Sequence, residues 1–451
     1  MTKSNTPGSD IVEMARQAGI AGQGGAGFPL HAKLATRADT VIANGCECEP
    51  MLATDTRIME AHGEDVVAGL RAAMLATGAS NGVIALKAKH TALVRRFRDL
   101  LAGDDIRLHL LENFYPAGDE QILVHETTGR SMRPLSLPGE VGCVVSNVGS
   151  LAALARAARG EPVTDKYVTV SGEVRTPSVF AVPLGTPVRD CINHCGGSTL
   201  EDYVVVLGGP MMGAVLDTDK AVADAVVTKT VGGILLFPRN HHVHQTALRP
   251  LEVIRRRAAT SCIQCRFCTD LCPRHLIGQP FDTHRVMRAF GKSAELDGAA
   301  AREALLCCGC GVCEHIACPM GLSPCAVNAF LKQELGRKGV RYEGDREIDP
   351  ENRAWREARR IPVPRLASRI GISRYMGIVP AACEGPAPEY VDLPLKQHIG
   401  VPAEPVCKPG DSVRRGQVVA EVPEGSLGAR LHAGIDGIVV HVDASICIRR
   451  A

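Results

Sequence analysis

Aromatic side chains are scarce in this 451-residue chain, which has one Trp, six Tyr and nine Phe. That scarcity excludes a single-stranded nucleic-acid platform, which needs rings at intervals for bases to stack on. Net charge is only +2, so no strong field points to nucleic acid or to an anionic membrane surface. No apolar run approaches the ~20 residues that cross a bilayer, and no membrane span is expected. The opening, Met1 to Asp10, lacks the apolar core of an export signal. Structural disulfides need an oxidising compartment, and nothing here suggests one. A cytoplasmic location is the expectation, and the length is too great for a single core.

Cysteine and glycine, by contrast, are plentiful, at 18 and 46 residues. Eighteen cysteines without an export signal point to metal ligation. Eight of them form two sets. Cys262, Cys265, Cys268 and Cys272 precede Pro273, and Cys307, Cys310, Cys313 and Cys318 precede Pro319. The first set has the gaps of two, two and three residues typical of bacterial ferredoxins, and the second has one extra residue before its Cys-Pro. A tight loop presents three thiolates to three corners of a cubane, while the fourth cysteine ligates the other cluster of a pair. The spacing therefore assigns Cys262, Cys265, Cys268 and Cys318 to one [4Fe–4S] centre, and Cys272, Cys307, Cys310 and Cys313 to a second. Cys308 and Cys325 are the nearest substitutes for Cys318. Four-cysteine zinc sites are the alternative, but they favour separated Cys-x-x-Cys knuckles over a triple with a trailing Cys-Pro.

The first 155 residues read as an α/β domain. After a short helix over Ile11 to Ala18 comes Gly22-Gln-Gly-Gly-Ala-Gly-Phe-Pro29. Four glycines in six positions let backbone amides approach an anion closely, with Lys33 nearby to neutralise a phosphate. A flexible loop is the plain alternative, and the glycine spacing is not that of the dinucleotide-binding fingerprint. A strand, Thr40 to Ala43, then leads into Asn44-Gly-Cys-Glu-Cys-Glu-Pro50. Two carboxylates, an amide and two thiols thus crowd a strand end, where open α/β sheets bind ligands. Further junctions carry Phe114-Tyr-Pro-Ala-Gly-Asp-Glu-Gln121 and Val144-Val-Ser-Asn147.

Residues 156–245 alternate as half-buried strands do, with Tyr167 to Val174 pairing Val179 to Pro183. Cys191 and Cys195 share a helix face and read as small buried apolar groups rather than ligands. Residues 246–340 form a helical surround for the two cysteine sets, including a connector over Phe281 to Ala301. Residues 341–385, rich in Arg, Glu and Pro, read as a solvated linker. The end, 386–451, is all short strands and glycine turns, and its only lysines, Lys396 and Lys408, do not stand at a hairpin tip as a carrier domain requires.

The glycine stretch with Lys33, the Asn44–Pro50 segment, Tyr-Pro-x-Gly-Asp-Glu and Ser-Asn-Val together resemble the flavin- and NADH-binding module of the complex I flavoprotein subunit. They are closer to the C subunit of Rnf electron-transport complexes. Over nearly its whole length the chain resembles the cobalamin reductases of propanediol-utilisation microcompartments. The resemblance implies α/β and α+β folds in sequence: an FMN/NADH-binding domain over 1–155 and a β-grasp, soluble ligand-binding domain over 156–245. A two-[4Fe–4S] ferredoxin-like domain over 246–340 and a barrel-sandwich hybrid over 386–451 complete it. By motif position, Gly22, Gly24, Gly25, Gly27, Lys33, Asn44 and Asn147 would hold FMN. Glu47, Glu49, Asp119 and Glu120 would lie beside the flavin ring or the nicotinamide ribose.

A flavin between NADH and one-electron centres has a clear logic, since it accepts a hydride's electron pair and releases it singly. The expected activity is NADH-dependent corrinoid reduction, from NADH to FMN to the clusters to cob(III)alamin or cob(II)alamin. A corrinoid adenosyltransferase and a microcompartment shell protein are the implied partners, and a bacterial microcompartment the implied setting. The alternative is an Rnf-type C subunit exchanging electrons between NADH and ferredoxin. A third reading, a scaffold whose flavin module has lost NADH, is disfavoured by the intact Asn44, Glu47, Glu49 and Glu120.

Overall fold

A computed structural model describes residues 7–292, 296–344 and 346–451. Residues 1–6 and part of the Phe281–Ala301 connector lie outside the described residues. Near the N-terminus four strands form a parallel sheet in the order Arg107–Leu111, Asn81–Lys87, Thr40–Gly45 and Cys143–Asn147. The central strands are buried along nearly their whole length, as expected where helices cover both faces of a parallel sheet. Helices Gly63–Thr77 and Val148–Ala157 pack on one face through Val66, Leu70, Leu151 and Leu154. Helix Glu120–Thr128 covers the other through Ile122, Leu123 and Val124. Being parallel, the strands deliver Asn44, Lys87 and Asn147 to one common edge.

The next domain is a six-stranded mixed sheet with helix Val188–His194 packed against it. Strand Asp165–Gly172 sits inside this sheet, antiparallel to Ser178–Pro183 and parallel to Gly233–Pro238. The half-buried alternation expected of it is not what is found, because Lys166, Val168, Thr169, Val170 and Ser171 are all buried. The second face is closed by the N-terminal domain, where Thr169 Oγ1 accepts from the Ala53 amide at 3.0 Å and meets Thr54 Oγ1 at 2.9 Å. Cys191 and Cys195 are buried among apolar neighbours of this domain.

Around the cysteine sets, helices Leu251–Ser261, Thr283–Gly291 and Pro324–Arg337 share a core of Ile254, Val286, Phe290, Val327 and Leu331. The following stretch corrects the solvated-linker reading of 341–385. Ile361, Val363, Leu366, Ile370, Ile372 and Tyr375 are buried in a common core with Tyr115 and Phe237. Strand Ile361–Pro362 pairs with Phe114–Tyr115, and Ala381–Ala382 extends the six-stranded sheet. Arg356 and Arg360 face Glu126 inside the molecule, not solvent, with Arg360 Nη2 at 2.8 Å from its Oε1. The segment is a strap across three domains. Its apolar residues are spaced between arginines and prolines that dominate a composition-based reading.

Residues 386–451 form a four-stranded and a three-stranded antiparallel sheet. Val391, Leu393, Leu431 and Ile446 merge with Ile20 and Leu184 in the core of the N-terminal domain. The chain's end therefore packs against its beginning.

Candidate functional site

The glycine-rich loop closes on itself, with the Gly22 amide donating to the Phe28 carbonyl at 2.9 Å. Gly25 has φ +102° and, among the described residues, nothing within 4 Å of where a Cβ would project, so the loop presents open backbone there. Gly24 lies against the Asn147 side chain, and Gly27 against Thr230 and His398 of the later domains. Lys33 reaches the same strand edge, its Nζ 2.7 Å from Glu120 Oε1 and 2.9 Å from the Val145 carbonyl. Beside it, the buried Ser146 hydroxyl finds no partner among the described residues. Open glycine backbone, a cation and an unpartnered buried hydroxyl at one strand edge fit an anionic, polar cofactor such as FMN.

Both predicted asparagines are engaged within the protein. Asn44 Nδ2 donates to the Gly118 carbonyl at 2.9 Å, tying the first acidic loop to the second. Asn147 Oδ1 caps the Val148–Ala157 helix through the Gly149 amide, while its Nδ2 donates to both oxygens of Asp55 at 3.0 Å. Their place is to hold the cradle's walls.

The four acids divide by environment. Glu47 has φ +32° and accepts from the Thr56 amide at 3.1 Å. Burial, with the nearby Asp55 charge, raises its pKa to about 8. Glu49 accepts from the Met211 amide at 2.9 Å, its other oxygen is sealed without a partner among the described residues, and burial raises its pKa to about 7. Glu120 pairs with Lys33. Asp119 turns the other way. It caps helix Glu120–Thr128, accepting from the Gln121 and Ile122 amides, and its second oxygen meets Arg274 at 2.8 Å.

Arg274 follows the Cys272-Pro273 pair, and its guanidinium also lies within hydrogen-bonding reach of the Cys308 sulfur. Tyr115, from the same junction as Asp119, donates its buried hydroxyl to the Cys310 carbonyl at 2.8 Å. The flavin-type module and one cysteine loop are therefore joined directly. Cys272, Cys307, Cys310 and Cys313 line one small gap, together with Cys308 and Cys325. On the other side Cys268 lies in the field of Cys318, Cys262 and Cys265, with Cys272 the next nearest. The crossed assignment of the eight cysteines therefore stays a proposal, with Cys272 placed beside Cys307, Cys310 and Cys313 and Cys318 placed near Cys268. Both substitutes considered for Cys318 fall beside the other set. Among the described residues no three His, Cys, Asp or Glu side chains converge on a single ion. All-thiol sets of four, each reaching a different corner, suit the iron atoms of a cubane.

Family models match in the same order as these domains. The Nuo51 FMN-binding domain matches residues 15–156, and the SLBB domain 167–215. The 4Fe-4S dicluster domain matches 261–323, and the RnfC barrel sandwich hybrid domain 381–449. Across its length the chain is 43% identical to the cobalamin reductase PduS of Salmonella typhimurium, covering 95% of this chain and 94% of that one. This chain belongs to the cobalamin reductase family. A second member, PduS of Citrobacter freundii, is 41% identical over 98% of this chain and 96% of its own. The C subunit of the Na(+)-translocating ferredoxin:NAD(+) oxidoreductase complex of Acetobacterium woodii is 34% identical, but over 59% of this chain and 58% of its own. The protein is thus an oxidoreductase with an FMN domain and a two-cluster domain, and no helix among its described residues is long and apolar enough to cross a membrane.

Several residues at the site escaped sequence reasoning. Lys166 is fully buried, donating to the Gln23 carbonyl at 3.0 Å, and burial lowers its pKa to about 8. A lysine directly before the Tyr167-Val-Thr-Val run was the available signal. The Gly208–Gly213 turn inserts between Glu49 and the cysteine loop, where Met211 packs against Gly311. Arg274 had only its adjacency to a Cys-Pro to announce it.

Proposed function

We propose that this chain is an NADH-dependent corrinoid reductase, passing electrons from NADH through FMN and two [4Fe–4S] centres to cob(III)alamin or cob(II)alamin. Bound FMN supplies the exchange between a hydride's electron pair and the single electrons that clusters carry. The chain's own residues do the rest. Open amides at Gly24 and Gly25, with Lys33, hold the phosphate end, and Glu120 orients Lys33. Glu49, whose burial raises its pKa to about 7, can take up and release a proton beside the site near neutral pH. Lys166 places a positive charge behind the glycine loop, opposite Glu47 and Asp55.

The observation that carries this reading is the buried contact from Tyr115 to the Cys310 loop. It sets the thiols of Cys272, Cys307, Cys310 and Cys313 against the flavin-type module. Cys262, Cys265, Cys268 and Cys318 lie further out, so this outer set faces the acceptor. Cob(I)alamin formed there would pass to a corrinoid adenosyltransferase, within or on a microcompartment whose shell protein is the second partner. The test is anaerobic NADH oxidation by purified protein with and without cobalamin. Faster oxidation with the corrinoid supports the reading, and an unchanged rate overturns it. Co-purification with integral membrane proteins would instead favour an Rnf-type role.

A further inference from the structure

The two cysteine loops share one backbone path but use different residues to make it. In the loop from Cys307 to Cys313, the positions on either side of the middle cysteine are Gly309 and Gly311, with φ +75° and +76°. In the loop from Cys262 to Cys268 the equivalent positions are Gln264 and Arg266, with φ +55° and +66°. Glycine adopts this left-handed conformation freely, and a residue with a Cβ does so under strain. Strain kept at a ligand loop calls for a compensating role.

At Gln264 the side chain supplies one. Its Nε2 lies 3.1 Å from Cys262 Sγ, and only the amine end of the amide can face a thiolate favourably. In the other loop the matching position offers a backbone amide alone, Gly309 N at 3.3 Å from Cys307 Sγ. Cys265, between the two strained residues, is exposed to solvent, whereas Cys310 and Cys313 are buried. A hydrogen bond to a ligand sulfur and greater exposure both favour the reduced, more negatively charged state of an iron–sulfur centre, and so raise its potential.

We infer that Gln264 is a positioning residue that raises the potential of the outer cluster through an N–H···S bond to Cys262, biasing electrons toward the solvent-facing end of the relay. This rests on the two-cluster reading but not on the corrinoid acceptor, because potentials are read without any corrinoid present. The experiment is an EPR-monitored redox titration of anaerobically purified holoenzyme and its Gln264→Met and Gln264→Gly variants. A Cys265→Ser protein, lacking the outer centre, identifies which signal is which. Met keeps the length and the backbone strain but removes the donor, and Gly removes both. In each the outer midpoint moves negative, the inner one stays, and iron remains at about eight per chain, four for each cubane. An unchanged or more positive outer midpoint in iron-replete Gln264→Met overturns the inference. Should both variants lose iron, Gly309→Gln in the inner loop decides. Among the described residues only Met212 comes within 4 Å of a Cβ there, at 3.9 Å. A positive shift of the inner midpoint then supports the inference and no shift overturns it.

Discussion

The loops Cys262–Cys268 and Cys307–Cys313 have the same cysteine spacing and the same backbone turns, yet they inhabit opposite environments. Around the first, Ile263 and Phe267 are 63% and 51% exposed, and Gln264 and Arg266 carry side chains at positions that favour glycine. Around the second, Cys310 and Cys313 are 8% and 7% exposed, wedged among Tyr115, Arg274 and the Met211 turn. Spacing determines that a loop can bind a cluster. What packs on it decides whether that cluster exchanges electrons with the protein's interior or with a partner outside.

The sharpest way to break this contrast is to remove one ligand from each loop. Cys310→Ser leaves a hydroxyl in a buried, largely apolar setting, at roughly 1–3 kcal/mol, besides losing its centre. Corrinoid reduction should fall by at least ~100-fold, the equivalent of about 2.7 kcal/mol, with iron dropping to about four per chain. A Cys310→Ser protein that keeps all its iron would contradict the assignment of this thiol.

Arg274 offers a comparison of charges. It and Asp119 form a buried pair between the flavin-type module and the inner loop. Removing one member of such a pair costs about 3–5 kcal/mol, because the other charge is left buried and alone. Arg274→Ala should show that loss in urea unfolding, and Asp119→Asn added to Arg274→Met should recover most of it. Arg266→Ala, at the exposed loop, should stay within about 0.5 kcal/mol. Equal losses at the two arginines would dissolve the inside–outside distinction.

Glu49, on the inner side, gives the contrast a pH dependence. Its pKa is raised from 4.5 to about 7 by burial, so the folded protein binds a proton that the unfolded chain has released. Its favourable contribution is complete below pH about 4.5 and is lost as pH rises through about 7, by on the order of 3 kcal/mol. Thermal unfolding of the cofactor-free protein across this window should show the decline, and Glu49→Gln should flatten it. The smallest effect belongs to backbone strain. Arg266→Gly should stabilise the chain by at most about 1 kcal/mol. Gly311→Ala should destabilise it by a similar amount, since a side chain there meets His315 at 3.0 Å.

Much of this was legible in the chain itself. Cysteine gaps, the glycine stretch with Lys33 and the acids after Asn44 carry chemistry that depends on local spacing, and such local patterns are what a sequence displays. Contacts between domains were not legible. Lys166 reaches Gln23 across 143 positions, and Tyr115 reaches Cys310 across 195. Such pairs leave no periodic trace. The strap around Ile361 to Tyr375 was misread for a related reason, because its arginines neutralise Glu126 internally and its prolines start short helices instead of marking solvent.

Electrons leave by the exposed loop in this relay, and a Cys265→Ser protein tests that most directly. Anaerobic mixing with NADH should still reduce the flavin and the inner centre at the wild-type rate, while reduction of added cobalamin collapses. Cobalamin reduction that persists at full rate without the outer centre would contradict it.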